Sequence, residues 1–236
     1  VGSSIAVGFP VWQSVASPFF SSVMELELPP EVPRRVFEGN LVAEQHDRIA
    51  RWFLEETTAD TLLVLEQDHR FPRNLLERVA EYGAGDWPIV GALYYSRMEP
   101  FFAVALVPRP PYWEREGVWE GQWEDIELTP LWPSLEDRIR GQGLQRVCAV
   151  GMGCMAIQRH VLEDWPKDEP FFTNWYGWGR FWTDDVRFCG RAAELGFPVY
   201  VDGDLELPHM GLRDVDHRTH RAHLERRATQ LGLPRG

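Results

Sequence analysis

Cysteine is scarce in this chain. Cys148, Cys154 and Cys189 are the three present among 236 residues, and no C-x-x-C pair occurs. An odd count without paired spacing excludes a disulfide framework and argues against a structural zinc site. Free thiols in a reducing, cytoplasmic setting are the expectation. Positive charge is also short, with 24 Lys and Arg against 36 Asp and Glu, a formal net charge of −12. A protein that chiefly grips a phosphate backbone carries the opposite balance, so a general nucleic-acid binder is disfavoured. A site that gathers divalent cations fits an acidic chain. No apolar run approaches the ~20 residues needed to span a bilayer. The longest, Phe101 to Val107, has the length of a strand. No basic segment followed by a long apolar stretch opens the sequence, so no signal peptide is expected. No internal repeat is visible.

What is present is an ordinary globular composition, 44% hydrophobic and 25% charged, over a length that suits one α/β domain spanning residues 1–236. Ile5 to Phe9 is a β-branched run closed by Pro10 and predicts a buried first strand. Between Asn40 and Glu56 the apolar residues Leu41, Val42, Ile49, Trp52 and Phe53 alternate with polar ones as an amphipathic helix requires. Thr61 to Leu65 is continuously apolar, the pattern of a central strand covered on both faces. Pro72 precedes a helix over Arg73 to Tyr82, which Gly83 and Gly85 end. Further strands are expected at Ile89 to Tyr95, Phe101 to Val107, Arg146 to Val150, Cys154 to Ile157 and Val199 to Asp202, with helices at Arg159 to Trp165 and Thr183 to Leu195. Alternation of this kind defines an α/β sheet with helices on both faces.

The stretch 108–146 breaks the pattern. It holds five prolines, the tryptophans Trp113, Trp119, Trp123 and Trp132, and a cluster of acids between Glu114 and Asp137. An irregular or hairpin insertion across one face of the sheet is expected, since four Trp argue against disorder. Residues 212–231 form an Arg- and His-rich helix; His217, His220 and His223 could bind a metal, but the crowding arginines favour a solvated or partner-facing helix.

Four places carry chemistry. Glu66-Gln-Asp68 follows the Thr61 strand directly, and two carboxylates at the carboxyl end of a buried strand sit where open α/β sheets bind ligands. Oxygen ligands there suit Mg²⁺ or Mn²⁺. Alone, such a pair is more often a polar turn. Thr183-Asp-Asp185 places Asp184 and Asp185 at a helix start, where they either act as a general base or simply meet the helix dipole. His209 follows the Val199 strand and could complete a metal's shell, or be structural. Gly151-Met-Gly-Cys-Met-Ala156 formally matches G-x-G-x-x-A, but the acidic residue of a dinucleotide fold, ~20 residues on at the end of a second strand, is missing. A close backbone approach to a ligand explains the glycines as well. In Asn174 to Trp182, glycines between Trp175, Trp178 and Trp182 suit a mobile loop that closes over donor or acceptor, or the aromatics are core.

The order of these motifs resembles the GT-A glycosyltransferases, especially family-2-like enzymes of bacteria and phages. The matching stretches are Leu62-Leu-Val-Leu-Glu-Gln-Asp-His-Arg-Phe-Pro72, Val90-Gly-Ala-Leu-Tyr-Tyr-Ser-Arg97, Val150 to Arg159 and Thr183 to Asp202, then His209. The resemblance implies a three-layer domain with a central mixed sheet and a metal-dependent, inverting sugar transfer from a nucleotide-sugar donor, a UDP-sugar first. It implies that Asp68 is the metal- and diphosphate-binding Asp of a DxD-like motif, with His209 as a further ligand and Glu66 nearby, at the metal or at the ribose. Asp185 corresponds to the catalytic base, and Asp184 replaces the usual Glu. Pro10 to Trp12 resembles the segment that holds the nucleotide base. Arg48, Arg97 and Trp182 are expected against the donor. The acceptor stays open: a glycan, a protein side chain, a small molecule, or a hydroxymethylated phage DNA base. Competing functions are a metal-dependent phosphohydrolase or nucleotidyltransferase on the same carboxylates, and a silent carbohydrate-binding module on the Trp surface.

Overall fold

Alternation in burial explains how the chain divides into layers. In the computed structural model, which describes residues 4–99, 101–108, 117–123, 128–131, 139–177, 179–211 and 214–230, Leu62 and Val64 enter one apolar cluster while Leu63 and Leu65 enter another. A strand buried on both faces needs a continuous apolar run, and this one has it.

In chain order, β1 (Ile5–Val11), α1 (Ser17–Glu25), β2 (Arg34–Glu38), α2 (Val42–Glu56), β3 (Thr61–Leu65), α3 (Leu75–Ala84) and β4 (Ile89–Leu93) build the first half. Next come β5 (Ala103–Pro108), β6 (Leu128–Leu131), β7 (Leu144–Val147), β8 (Ala149–Val150), β9 (Cys154–Gln158) and α4 (Arg159–Glu163). The chain continues with β10 (Trp175–Gly177), β11 (Arg180–Trp182), α5 (Asp184–Glu194), β12 (Val199–Glu206), β13 (His209–Met210), β14 (Asp214–Val215) and α6 (His217–Gln230).

Seven strands form the central sheet in the order β2-β1-β3-β9-β4-β12-β7. β1 pairs parallel with β2 and β3, and β4 parallel with β12. β9 runs antiparallel between β3 and β4, and β7 antiparallel to β12, so the sheet is mixed as expected. One face packs α2, α4 and α5 through Ile49, Phe53, Val161, Phe188 and Ala192; the other packs α1 and α3 through Phe19, Leu75 and Val79. α3 is pinned to β12 by Arg78, which donates to both oxygens of the fully buried Asp202 at 2.7 and 2.9 Å, with the Tyr82 hydroxyl donating to the same carboxylate.

Several boundaries differ from the sequence expectation. β1 runs past Pro10 to Val11, because beyond Gly8 it pairs only with β2 among the described residues. Arg146 to Val150 splits: the Cys148 N–H donates to Leu106 and swings the chain from the central sheet into a small β6-β5-β8 sheet. The described parts of 108–146 include β6, which pairs antiparallel with β5 just before the stretch; Trp113 and Trp132 lie outside the described residues. The histidines of α6 are not on a solvated face. His220 is buried and stacks on Tyr95 at 4.9 Å, and His223 meets Phe101 edge-on at 5.4 Å. The arginines did not predict this, because one helix can expose Arg218, Arg226 and Arg227 while burying the opposite side.

Candidate active site

The carboxyl ends of β1 and β3 open onto one cleft of about 440 Å³, lined by Pro10, Trp12, Gly39, Asn40, Val42, Gln45, Glu66, Gln67, Asp68 and Arg97. Five residues expected at the donor therefore share one wall: Pro10, Trp12, Glu66, Asp68 and Arg97. Side chains that sequence reasoning missed hold that wall in place. The Gln45 amide donates to the carbonyls of Val11 and Phe37, both at 2.7 Å, closing β1 onto β2. Gln67 accepts from the Trp12 N–H at 3.1 Å, and the Trp12 indole N–H donates to Asn40 at 3.0 Å. The Trp12 ring is 55% exposed yet held at both its backbone and its indole nitrogen, a presented aromatic face.

Behind the cleft wall at Asp68, the residues Asp68, His69 and His209 each bring one ligand atom within 4.8 Å of the others. β13 delivers His209: the Met210 N–H donates to the Asp68 carbonyl at 2.7 Å, and His69 bridges His209 as an isolated antiparallel pair. The two imidazoles stack at 4.4 Å, and the Tyr94 ring closes on His69 edge-to-face at 4.4 Å. His209 Nδ1 lies 2.8 Å from the Tyr95 carbonyl, so that nitrogen carries the hydrogen. Its Nε2 then turns a lone pair toward Asp68 Oδ2 at 3.1 Å. His69 Nδ1 is 3.0 Å from Asp68 Oδ1, yet neither atom has a hydrogen-bond partner, nor has His69 Nε2, among the described residues. Buried lone pairs converging without partners are what a divalent cation satisfies, so these residues fit a metal. Arg97 donates to Asp68 Oδ2 at 2.7 Å from a half-exposed position.

Gly151 and Gly153 find their reason here. A Cβ at Gly153 would lie 2.4 Å from His69 Cε1, and one at Gly151 would lie 1.9 Å from the Tyr94 hydroxyl. The glycines make room for the His69 imidazole and the Tyr94 ring beside it. β9 follows them, antiparallel within the sheet, which is not the strand-to-helix turn of a dinucleotide fold.

Glu66 leaves the trio. Its carboxylate faces His46 Nε2 at 3.3 Å, while His46 Nδ1 bonds Asp184 Oδ2 at 2.7 Å. Burial pushes the His46 pKa down, but Asp184 and then Glu66 overcome it and raise it to about 9. Asp184 and Asp185 open α5, where Asn174 accepts the Asp184 N–H at 3.1 Å. Asp185 is half-buried. Burial lifts its carboxyl to about 6, Asp184 and Glu66 add to the lift, and Thr183 and the Val186 N–H oppose it.

Two expected donor residues do not join the cleft. Arg48 donates to the Glu38 carbonyl at 3.1 Å and lies over Phe37, because its helix position points along β2. Trp182 is buried against Trp123 at 5.9 Å, in a β10–β11 hairpin where the sequence suggested a mobile loop. Trp175 packs under Arg187 at 5.1 Å, and Trp178 lies outside the described residues. The exposed aromatics of the hairpin are the cross-strand pair Tyr176 and Phe181, which the tryptophan count obscured.

No protein-family model matches the chain, and no curated protein matches it in sequence. Solved structures match its fold. A197 from STIV superposes with a TM-score of 0.56 at 20% identity, over 88% of this chain and 86% of that one. GalNAc-T7, crystallised with UDP, GalNAc and Mn²⁺, gives 0.56 at 13% identity over 89% of this chain and 43% of that one. The mannosyltransferase PcManGT from Pyrobaculum calidifontis, in complex with GDP-Man and Mn²⁺, gives 0.50 at 14% identity over 98% and 62%. The chain thus spans less than two thirds of the latter two. Its fold is GT-A-like, the glycosyltransferase architecture that the order of motifs implied. No helix among the described residues is long and apolar enough to cross a membrane.

Proposed function

We propose that this chain is a glycosyltransferase that moves a sugar from a nucleoside-diphosphate sugar to a hydroxyl acceptor. The observation that carries the reading is the trio Asp68, His69 and His209, whose Asp68 lines a cleft on the carboxyl edge of a GT-A-like sheet. A divalent cation held there would neutralise the negative charge of a diphosphate leaving group. Two imidazole nitrogens suit Mn²⁺ better than the oxygen-preferring Mg²⁺. Arg97 stands beside Asp68 as a second cation for the diphosphate. Trp12 offers its face to the nucleobase. In an inverting transfer Asp185 takes the proton of the acceptor hydroxyl as that oxygen attacks the anomeric carbon and the nucleoside diphosphate departs. A carboxyl poised near 6 is ionised at neutral pH and still basic enough for the task. The acceptor is a glycan, a protein side chain, a small molecule or a hydroxymethylated base.

Calorimetric titration with UDP and GDP, with and without Mn²⁺, tests the reading on the native chain and on Asp68→Ala. Metal-dependent binding of one nucleotide, abolished by the substitution, is the expected outcome. Folded protein that binds neither, with or without metal, would sink the donor site and favour a phosphohydrolase or a saccharide-binding module.

A further inference from the structure

One buried group lies at the centre of the site with no part in the chemistry above. His46 projects from α2, and its side chain is 1% exposed. Phe172 packs edge-on against the ring at 5.5 Å. Its two nitrogens meet carboxylates from different ends of the fold: Asp184 Oδ2 at 2.7 Å, opening α5, and Glu66 Oε1 at 3.3 Å, ending β3. Ionised carboxylates only accept hydrogen bonds, and a neutral imidazole donates from one nitrogen alone. The Asp184 contact is a hydrogen bond; Nε2 reaches Glu66 at ion-pair distance without a hydrogen bond among the described residues, so the contact with Glu66 is one of charge, which a protonated ring supplies.

We propose that His46 is a positioning residue, an imidazolium that ties the donor-side carboxylate Glu66 to the first turn of α5 and so fixes the aim of the base Asp185. The inference rests on the glycosyl-transfer reading. It divides the work of the paired acids. The Asp184 carboxylate is committed to His46, which leaves Asp185 to receive the acceptor's proton. It also sets the local charge. Asp185 faces Thr183 and Asp184 on its own segment, Glu66 from the end of β3 and Tyr94 beyond β4. The His46 cation offsets the two carboxylates among them. Nothing in the α2 sequence distinguishes this histidine from a surface one, since it is flanked by Gln45 and Asp47.

The experiment compares the native chain with His46→Phe, which keeps a ring and removes the Asp184 hydrogen bond and the charge beside Glu66, and His46→Gln, which restores one donor group. Three quantities are read: hydrogen exchange of the backbone amides over Asp184 to Phe188, affinity for UDP and GDP with Mn²⁺, and the pH profile of diphosphate release from UDP-glucose and GDP-mannose onto water. The Phe variant should bind nucleotide within about threefold of native yet lose about 100-fold in kcat, the scale of a misaimed catalytic group. Its first-turn amides should exchange at least about tenfold faster, and its acidic limb should move to higher pH, because Glu66 and Asp184 then face Asp185 uncompensated. The Gln variant should recover part of each. Unchanged exchange over Asp184 to Phe188 together with an unmoved acidic limb would overturn the proposal. If the Phe variant does not fold, the Gln variant decides by the same two readouts. If the native chain binds neither nucleotide and cleaves neither sugar donor, the glycosyl-transfer reading fails, while the exchange measurement still decides whether His46 holds α5.

Discussion

Replacing Asp185 by Asn should remove activity and add stability at once. The carboxyl titrates at about 6 because burial and the neighbouring Asp184 and Glu66 disfavour its charge. A base must be ionised to work, so the native rate should fall roughly tenfold between pH 7 and pH 5, and Asp185→Asn should cost about 10²- to 10⁴-fold at pH 7.5. Stability moves the other way. The folded chain binds this proton more tightly than the unfolded chain, whose carboxyl sits near 3.8. Between those two values the folded state therefore carries more protons, and it loses stability as pH rises through that window. Asn abolishes the loss. At pH 7.5 the variant should be more stable by about 1–3 kcal/mol, the upper figure being roughly two units at about 1.36 kcal/mol each. For a domain of this size that is a rise in Tm of a few degrees. The advantage should vanish at about pH 3.5, where both carboxyls are protonated. Steady-state assays and thermal melts over pH 3.5–8 check both halves. A variant that keeps more than a tenth of native activity, or whose melting curve tracks the native one at every pH, would refute the reasoning.

Three further perturbations are informative. His69→Ala should weaken Mn²⁺ binding about 10- to 100-fold, read by calorimetry, whereas a purely packing role would leave it unmoved. Gly153→Ala pushes a methyl to within 2.4 Å of the His69 ring and should weaken the same binding while the far-ultraviolet circular dichroism stays native. Asp202→Ala leaves the Tyr82 hydroxyl without its partner beside a buried cavity and leaves Arg78 only its weaker contact to Asp204, and should cost about 3 kcal/mol by urea denaturation, with no change in nucleotide affinity; a cost under about 1 kcal/mol would show that the pair is not coupled to folding.

Legibility from sequence followed burial. Thr61 to Leu65 was readable to the residue because a strand covered on both faces leaves no polar position to blur its ends. Val199 to Asp202 was read short, since β12 continues to Glu206 through Asp204 and Glu206, acids that Arg78 and Arg140 neutralise from other elements. α1 and β2 were not anticipated at all. Four of the five β2 residues are exposed, so no apolar period announces that edge strand. At the site, Asp68, His209 and Asp185 stood out because their carboxylates or imidazole followed strand ends or opened a helix. His69 was adjacent to a recognised motif, and His46 sat within an amphipathic helix; what singles both out is a distant partner, Asp184 for His46 and His209 for His69, for which one sequence holds no local signal. Gln45, Gln67 and Asn40 escaped notice for the same reason. Uncharged amides carry no pattern until the backbone they bridge is in place.

Asp68 and His209 are separated by 141 positions, and β13 must dock against the Asp68–His69 turn that follows β3 before they meet. Synthesis proceeds from the amino end, so a nascent chain displays Asp68 and His69 long before the residue that completes the set has been translated. β12, which pairs with β4 inside the sheet, is made in that same late interval. The capacity to capture a cation thus arrives together with closure of the sheet. A chain stopped short of β12 would expose an unpaired β4 edge and no assembled trio, leaving quality control an aggregation-prone fragment to remove but no prematurely loaded enzyme.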